Sequence, residues 1–270
     1  MGLAVEVILA GKTNITGGAF EDLVPGSGDT FNVRAFEDGS RAWIEEIWGV
    51  DRNTDAQLSI KSPRMHDQTR GIRLAVPTTG EEPQHLLPGY LRQEVFQSDT
   101  LSVQVNGTAN DDVIFAFLVR YENLRGAESS LYNWSQVEPM VKNLVGILVQ
   151  PTNGATIYGT PVTIDSVDDR LKADTDYAIF GAITDDPTTL IAIQAPDFAN
   201  YRLGIPGTID PVDSGNWFVD LAQKYHVPYI PVFNANNKGN TLISTADAGA
   251  GASPNITLIL GELSQRLTRR

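Results

Sequence analysis

AQLSIKSP, residues 56–63, aligns without a gap to TLIAIQAP, residues 189–196. In both segments the apolar side chains recur with the two-residue period of a β-strand that buries one face. Each segment is followed by a short loop and a second strand-like run that ends in proline, Pro77 in the first case and Pro206 in the second. The match predicts that one β-rich unit occurs twice in the chain.

Other pairs of segments follow in the same order in the two halves. Phe31 and Val33 alternate as Val162 and Ile164 do. The aligned pairs are 28–33 with 159–164, 95–96 with 232–233, 100–101 with 241–242, and 113–117 with 256–260. Identities between the halves are few, so the alternative is that two all-β segments of similar length share some alternation by chance.

Strand-like runs dominate both halves of the chain. They are short, rich in Val, Ile, Phe, Thr and Trp, and bounded by Gly, Pro, Asn or Asp. In the first half they cover residues 5–9, 30–36, 43–50, 56–60, 72–76, 91–96, 100–105 and 113–121. In the second half they cover residues 146–150, 161–164, 177–183, 190–193, 202–205, 229–233, 241–245 and 256–261.

Helical patterns occur at two places. The first lies between the two units, where residues 134–142 predict a turn or two of helix. The second covers Asn216–His226, where Trp217 and Leu221 recur at helical spacing behind Asp213 and Ser214, which are candidate caps.

These elements predict an all-β fold of two tandem eight-stranded jelly-roll β-sandwiches, produced by internal duplication, with one or two short helices. The expected domains are a first jelly roll at residues 1–122, a linker with a short helix at 123–143, and a second jelly roll at 144–270. In each unit one face of every strand would supply the core, and closure into a larger assembly would protect the edge strands.

The composition excludes several classes of protein. The 270-residue chain has no cysteine, which excludes disulfide scaffolds, zinc ribbons, thiol enzymes and iron–sulfur carriers. Its net charge of −13 opposes direct binding to a phosphate backbone. The longest apolar run, Val113–Val119, is far shorter than the roughly 20 residues of a membrane-spanning helix. Residues 1–6 contain an acid and no basic side chain, so we expect no signal peptide.

Catalytic and cofactor motifs are missing from the sequence. His66, His85 and His226 are scattered singly, which argues against the clustered metal ligands of a cupin enzyme, and the first two are expected to be loop residues. Gly11-Lys12-Thr13 resembles the end of a phosphate loop, but Glu6 stands where that loop requires glycine. We therefore predict no enzymatic activity, no catalytic residue, no cofactor and no metal ligand set.

Adjacent aspartates occur in three predicted turns, at residues 111–112, 168–169 and 185–186. Aspartate is favoured in turns because its carboxylate accepts hydrogen bonds from nearby backbone N–H groups. Carboxylates between loops also suit calcium, so a bound calcium ion is the alternative interpretation of these pairs.

Two further charged segments depart from the surrounding pattern. Glu45 and Glu46 interrupt an apolar strand and predict either a β-bulge or a subunit contact. The basic cluster Arg266, Arg269 and Arg270 is either a solvated tail or a contact with an anionic surface.

The paired strand runs resemble those of the double jelly-roll major capsid proteins of tailless icosahedral viruses, bacteriophages among them, the lineage of tectiviruses, corticoviruses and adenovirus hexons. The resemblance covers nearly the whole chain and is architectural, so it carries no site residue. It implies a homotrimer whose six barrels form a pseudo-hexameric capsomer of an icosahedral shell.

The same resemblance implies the partners and the location of the protein. The partners would be neighbouring capsomers, minor or vertex capsid proteins and an internal membrane, without direct sequence-specific nucleic-acid binding. The protein would be made in the host cytoplasm and would reside in the virion.

Two other functions remain open. A tandem β-sandwich that binds carbohydrate or a receptor, such as a virion spike, would stack sugar rings on Trp43, Trp48, Trp134 or Trp217. A glycoside-active enzyme is the third candidate, because carboxylates are plentiful although no spacing singles out a pair. A capsid subunit is expected to associate through large lateral surfaces, whereas a binding module needs no such contact.

Overall fold

The computed structural model describes residues 3–51, 56–65, 69, 71–77, 82–87, 91–124, 130–210, 214–248 and 253–268. These residues are mainly β and form four sheets. Sheets 1 and 2 are built from the first half of the chain, and sheets 3 and 4 from the second half. The predicted all-β class with short helices is therefore confirmed.

The first half contributes the strands of sheets 1 and 2. Their bounds are β1 (Ala4–Lys12), β2 (Glu21–Asp22), β3 (Val24–Pro25), β4 (Ala42–Asp51), β5 (Ala56–Lys61), β6 (Ile72–Val76), β7 (Gln84–His85), β8 (Gln93–Val95), β9 (Ser102–Asn106) and β10 (Val113–Tyr121). Sheet 1 has the order β3-β1-β10-β4-β7, with β8 also paired to β4. Sheet 2 has the order β2-β9-β5-β6.

The second half contributes the strands of sheets 3 and 4. Their bounds are β11 (Leu131–Tyr132), β12 (Val141–Val149), β13 (Asn153–Ala155), β14 (Val162–Thr163), β15 (Asp176–Thr184), β16 (Thr188–Gln194), β17 (Arg202–Gly207), β18 (Ile230–Asn234), β19 (Leu242–Asp247) and β20 (Ile256–Leu263). Sheet 3 has the order β11-β18-β15-β20-β12. Sheet 4 has the order β13-β19-β16-β17, with β14 also paired to β19. The ladders are antiparallel except for β13 with β19.

The described residues contain two further α-helical segments of four or more residues and three 3-10 segments. Helix α1 covers Trp134–Val137, whereas residues 141–142 of the predicted helical segment begin β12. Helix α2 covers Trp217–Tyr225, as the spacing predicts. Asn216 occupies the N-cap position of α2 without a side-chain capping bond. Ser214, a predicted cap, donates its hydroxyl to the backbone oxygens of residues 208 and 210 instead. Asp213, the other predicted cap, lies outside the described residues. The 3-10 segments are Glu138–Met140, Pro196–Phe198 and Ala235–Asn240.

Burial explains why three strands of sheet 1 are apolar on both faces. Nearly every residue of β1, β4 and β10 is buried. One face packs into the core between sheets 1 and 2, and the other joins a cluster that continues into the second half. A strand covered on both sides loses the polar alternation of a half-exposed strand, which is why Val113–Val119 is an unbroken apolar run.

The strand predicted at residues 30–36 is wrong. This segment makes only isolated bridges, Asn32 to Thr100 and Phe36 to Leu124. Thr30 Oγ1 accepts a hydrogen bond from the Asn32 backbone N–H, and such local bonds compete with a regular ladder. The short strand Glu21–Asp22 pairs with β9 instead.

Candidate interaction surfaces

The first surface is the junction between the halves, where an apolar face of sheet 1 packs against the second half. Gly204 of β17 permits the close approach, because a Cβ built on it would lie 2.8 Å from the Val7 Cβ. The sheet 1 side chains in this buried cluster include Val5, Val7, Leu9, Trp48, Ala116 and Leu118. The two halves therefore share one continuous hydrophobic cluster.

Two tryptophans meet at the centre of the junction. The Trp48 and Trp217 rings form an edge-to-face pair with centroids 5.6 Å apart, and His85 stacks on Trp217 at 5.4 Å. Trp48 Nε1 donates to the Thr189 backbone oxygen at 2.7 Å. Trp217 Nε1 donates to the Gly204 backbone oxygen at 2.8 Å. His85 thus lies in a short strand at the junction, and its expected loop position is wrong.

The four tryptophans proposed as sugar-stacking residues do not form one exposed platform. Trp43, Trp48 and Trp217 are buried. Trp134 is partly buried and packs edge-to-face on Phe180 with centroids 5.6 Å apart. These indole rings contribute mainly to packing.

Glu46 forms a buried polar cluster across the junction. Its carboxylate accepts hydrogen bonds from Lys224 and from the Tyr225 hydroxyl of α2. His85 Nδ1 lies 3.6 Å from the same carboxylate. Burial alone would raise the pKa of Glu46, but the hydrogen bonds from His85, Lys224 and Tyr225 outweigh it and lower the pKa. The charged form of Glu46 therefore helps to hold α2 against sheet 1.

Replacing Lys224 with methionine tests this cluster. We expect Lys224→Met to lower the free energy of unfolding at pH 7 by about 2 kcal/mol, because a buried carboxylate loses a charged donor. Because the folded-state pKa of Glu46 is depressed, its contribution is present above the unfolded pKa and lost as pH falls through the folded pKa. Chemical denaturation at pH 7 and pH 4 should therefore show the difference from wild type shrinking at the lower pH.

Lys172→Met is the matched control for this prediction. Lys172 also pairs with a glutamate, Glu262, but its side chain is 60% exposed. An exposed partner of this kind contributes little to stability, because water screens the ion pair. A Lys224→Met loss no larger than that of Lys172→Met would contradict the assigned role of Lys224.

Glu45 is the residue of a β-bulge, so the bulge predicted from the adjacent glutamates is confirmed. The register of β10 on β4 skips it, since Leu118 pairs with Glu46 and Val119 with Ile44. Glu45 is fully buried and accepts a hydrogen bond from Arg120 Nε at 2.7 Å. Burial raises the pKa of Glu45, although Arg120 and Arg92 oppose the rise.

Asp29 forms a second polar bridge between the halves. Its carboxylate accepts from the Leu9 backbone N–H at 2.8 Å, from the Tyr158 hydroxyl at 2.7 Å and from Arg202 Nη1 at 2.7 Å. Arg202 also donates to the Ser27 backbone oxygen at 2.7 Å. Burial raises the pKa of Asp29 despite these partners. The junction thus combines an apolar centre with two charged bridges.

The second surface is a strip on the outer face of sheet 3, which we call the uncovered strip. Leu144 on the terminal strand β12 is 72% exposed, and Gly146 is exposed beside it. In the described part of the chain, β12 pairs only with β20, so its outer edge is open. The full strip is Leu144, Gly146, Leu148, Ile183, Thr257 and Ile259, none of which is buried.

At two of the three aspartate pairs, a carboxylate bonds the backbone of a loop that is distant in the sequence and not the nearby backbone that the turn interpretation predicts. The Asp112 carboxylate accepts from the Asn14 backbone N–H, and the Asp185 carboxylate accepts from the Asn255 backbone N–H, both at 2.8 Å. At the third pair, Asp168 and Asp169 form ion pairs with Arg170 and Lys238. Among the described residues, no group of three or more His, Cys, Asp or Glu side chains is arranged to hold a metal ion.

The described part of the chain contains no helix long and apolar enough to cross a membrane. His226 ends α2 in the left-handed conformation, with φ 54°. His66, Arg269 and Arg270 lie outside the described residues.

Comparisons with known proteins give only remote similarity. No protein-family model matches the sequence, and no curated protein matches it. Similar solved structures include the PBSX exported protein XepA, with 9% identity over 95% of this chain and 86% of that chain at a TM-score of 0.28. The T=1 Penaeus vannamei nodavirus gives 12% identity over 98% and 99% at a TM-score of 0.24.

The STIV MCP structure gives 9% identity over 97% of this chain and 96% of that chain, at a TM-score of 0.22. TM-scores this low do not establish a common fold. Any assignment of architecture therefore rests on the strand order and the pairing registers of this chain itself.

Proposed function

We propose that this protein is a structural virion protein, the major capsid subunit of an icosahedral shell. The chain would contain two tandem jelly rolls, residues 1–122 and 144–270, joined by the segment 123–143. Three copies would form a pseudo-hexameric capsomer, because three chains with two similar units each present six near-equivalent sides. The role is assembly and not catalysis.

The observation that carries the proposal is the strand order of the two halves. The eight main strands are β1, β2, β4, β5, β6, β8, β9 and β10 in the first half, and β12, β14, β15, β16, β17, β18, β19 and β20 in the second. When each set is counted from one to eight, sheets 1 and 3 share the order one, eight, three, six. Sheets 2 and 4 share the order two, seven, four, five. Two such sheets are the arrangement of a jelly roll, which consists of two Greek keys. A repeated order of eight strands supports an internal duplication.

The pairing registers give independent support. The third main strand of each half carries a bulge against the eighth, at Glu45 in β4 and at Phe180 in β15. Bulges at the same place in two sheets are features that related units share. Gly261 allows this geometry in the second half, because Phe180 packs directly over it.

A carbohydrate-binding module is the second candidate, and the described residues do not favour it. Sugar recognition requires aromatic faces that solvent can reach. Three of the four tryptophans are buried at packing positions.

Electron microscopy of the purified protein tests the proposal. We expect particles with a six-sided outline, or sheets and shells built from them. Uniform particles of single-chain size, together with binding to a glycan panel, would instead support the carbohydrate-binding module and overturn the capsid assignment.

A further inference from the structure

Residues 264–268, which we call the strap, follow β20 and return to the body of the second half. Residues 264–266 are exposed, whereas Leu267 is half-buried and Thr268 is 6% exposed. Leu267 packs against the hydrophobic cluster that the two halves share. The strap therefore crosses the surface and is docked through its last two residues.

One buried carboxylate holds the docked end of the strap. Asp176, the first residue of β15, is 2% exposed. Its Oδ2 accepts hydrogen bonds from the backbone N–H groups of Leu267 and Thr268, both at 2.6 Å. Its Oδ1 accepts from the Thr268 hydroxyl at 2.8 Å and from Asn234 Nδ2 at 2.6 Å. Three of these four donors belong to the strap, and a buried carboxylate that lost them would be costly.

The segment between the halves supplies further contacts to the strap. The Tyr132 hydroxyl donates to the Leu267 backbone oxygen, and the Ser264 backbone N–H donates to the Met140 backbone oxygen, both at 2.7 Å. The strap is thus held through its main-chain N–H and C=O groups, one apolar side chain and one hydroxyl. Main-chain hydrogen bonds combined with a few side-chain contacts are the means by which proteins bind extended peptides.

The equivalent position of the first half has a different side chain. Counted from the two bulges, the position equivalent to Asp176 is Arg41, which immediately precedes β4. The Arg41 side chain is 64% exposed and lies 3.7 Å from Glu94. At this position the buried acid is therefore found in the half whose last strand leads into the strap, which indicates that Asp176 serves the strap and not the sheet.

We propose that Tyr132, Asp176 and Asn234 form a peptide-binding site, which we call the Asp176 site, and that the strap fills it in cis. The ligand class is an extended peptide with a Leu-Thr pair. A tethered ligand has a high effective concentration, so the docked strap excludes a separate peptide. Once the strap is displaced, the site binds the same sequence in trans. Neither the site nor its test depends on the capsid proposal.

Asp176→Asn tests the anchor, with Asp197→Asn as the matched control. An asparagine side chain presents one oxygen and one NH₂ group, so it would turn a donor toward two of the four groups that donate to Asp176. Asp197 accepts from Asn237 Nδ2 at 2.9 Å, and none of its hydrogen bonds among the described residues goes to the strap.

Hydrogen–deuterium exchange measured by mass spectrometry compares these variants with the wild type. We expect the strap amides to exchange about tenfold faster or more in Asp176→Asn and at the wild-type rate in Asp197→Asn. The amides of β10 report global unfolding and should not change. Strap amides that stay protected in Asp176→Asn would overturn the assigned anchor.

Binding in trans tests the site without a change to Asp176. Thr268→Pro removes the Thr268 N–H and hydroxyl together, so it deprives the strap of two of its three bonds to Asp176. We expect a fluorescein-labelled peptide of residues 264–270 to bind this variant of the whole chain about tenfold more tightly than the wild type, whose own strap competes. The same peptide with Thr268→Pro keeps its charge and should not bind. Circular dichroism confirms that the variant is folded.

Anisotropy titrations of the two proteins give one of three results. Binding to the Thr268→Pro variant with little or none to the wild type supports the Asp176 site. Equal binding to both proteins would show that the basic peptide binds elsewhere on the acidic surface, which overturns the assignment. No binding to the folded Thr268→Pro variant would also overturn it.

Discussion

Replacing Arg120 with leucine should lower the free energy of unfolding by about 3–5 kcal/mol at pH 7, because it leaves Glu45 charged and buried without its main partner. Arg120 is 1% exposed, donates to Glu45 at 2.7 Å and lies over the Trp43 ring at 4.3 Å. Urea denaturation of the wild type and the variant gives the difference directly.

The pH dependence identifies Glu45 as the cause of that loss. The pKa of Glu45 is already raised by burial, and removal of Arg120 takes away the strongest opposing charge. The variant folded state therefore binds a proton more readily than the unfolded chain, so its deficit should shrink as pH falls from 7 to 5. Adding Glu45→Gln to Arg120→Leu should recover part of the loss at pH 7. A double variant no more stable than the single variant would show that the buried charge is not responsible.

Trp48→Ala should cost about 3–5 kcal/mol, because it empties the centre of the junction between the halves. The Trp48 side chain is fully buried and its indole N–H satisfies the Thr189 backbone oxygen. The ring also forms the edge-to-face pair with Trp217. Chemical denaturation monitored by the remaining tryptophans measures the loss.

Trp48→Phe separates packing from hydrogen bonding at the same position. Phenylalanine keeps an aromatic ring but leaves the Thr189 oxygen without this donor, so we expect an intermediate cost of about 1–3 kcal/mol. A Trp48→Ala cost below about 1 kcal/mol would contradict the conclusion that the halves share one cooperative core.

The alternating strands could be predicted from the sequence, whereas the registers of the most apolar strands could not. Leu58 and Ile191, which are aligned in the sequence, both lie in a strand that pairs with the next strand along the chain, β5 with β6 and β16 with β17. For the last strand of each half, the sequence alignment sets Val113 against Ile256, but the bulge registers set Phe115 there. A strand that is apolar on both faces has no pattern to fix its register, so a shift by two residues is invisible in the sequence.

The candidate surfaces could be predicted only in part, because they depend on contacts between residues that are far apart in the sequence. Glu45 and Glu46 stand out because acids interrupt an apolar strand. Lys224, the partner of Glu46, is 178 positions away, and no local pattern links the two. Leu144 looks like an ordinary strand residue in the sequence, yet its side chain is 72% exposed.

The most direct test of the central claim is the mass of the purified protein, measured by light scattering at two concentrations. The capsid proposal predicts the mass of three 29.4 kDa chains at both concentrations. The mass of a single chain at both concentrations would contradict it.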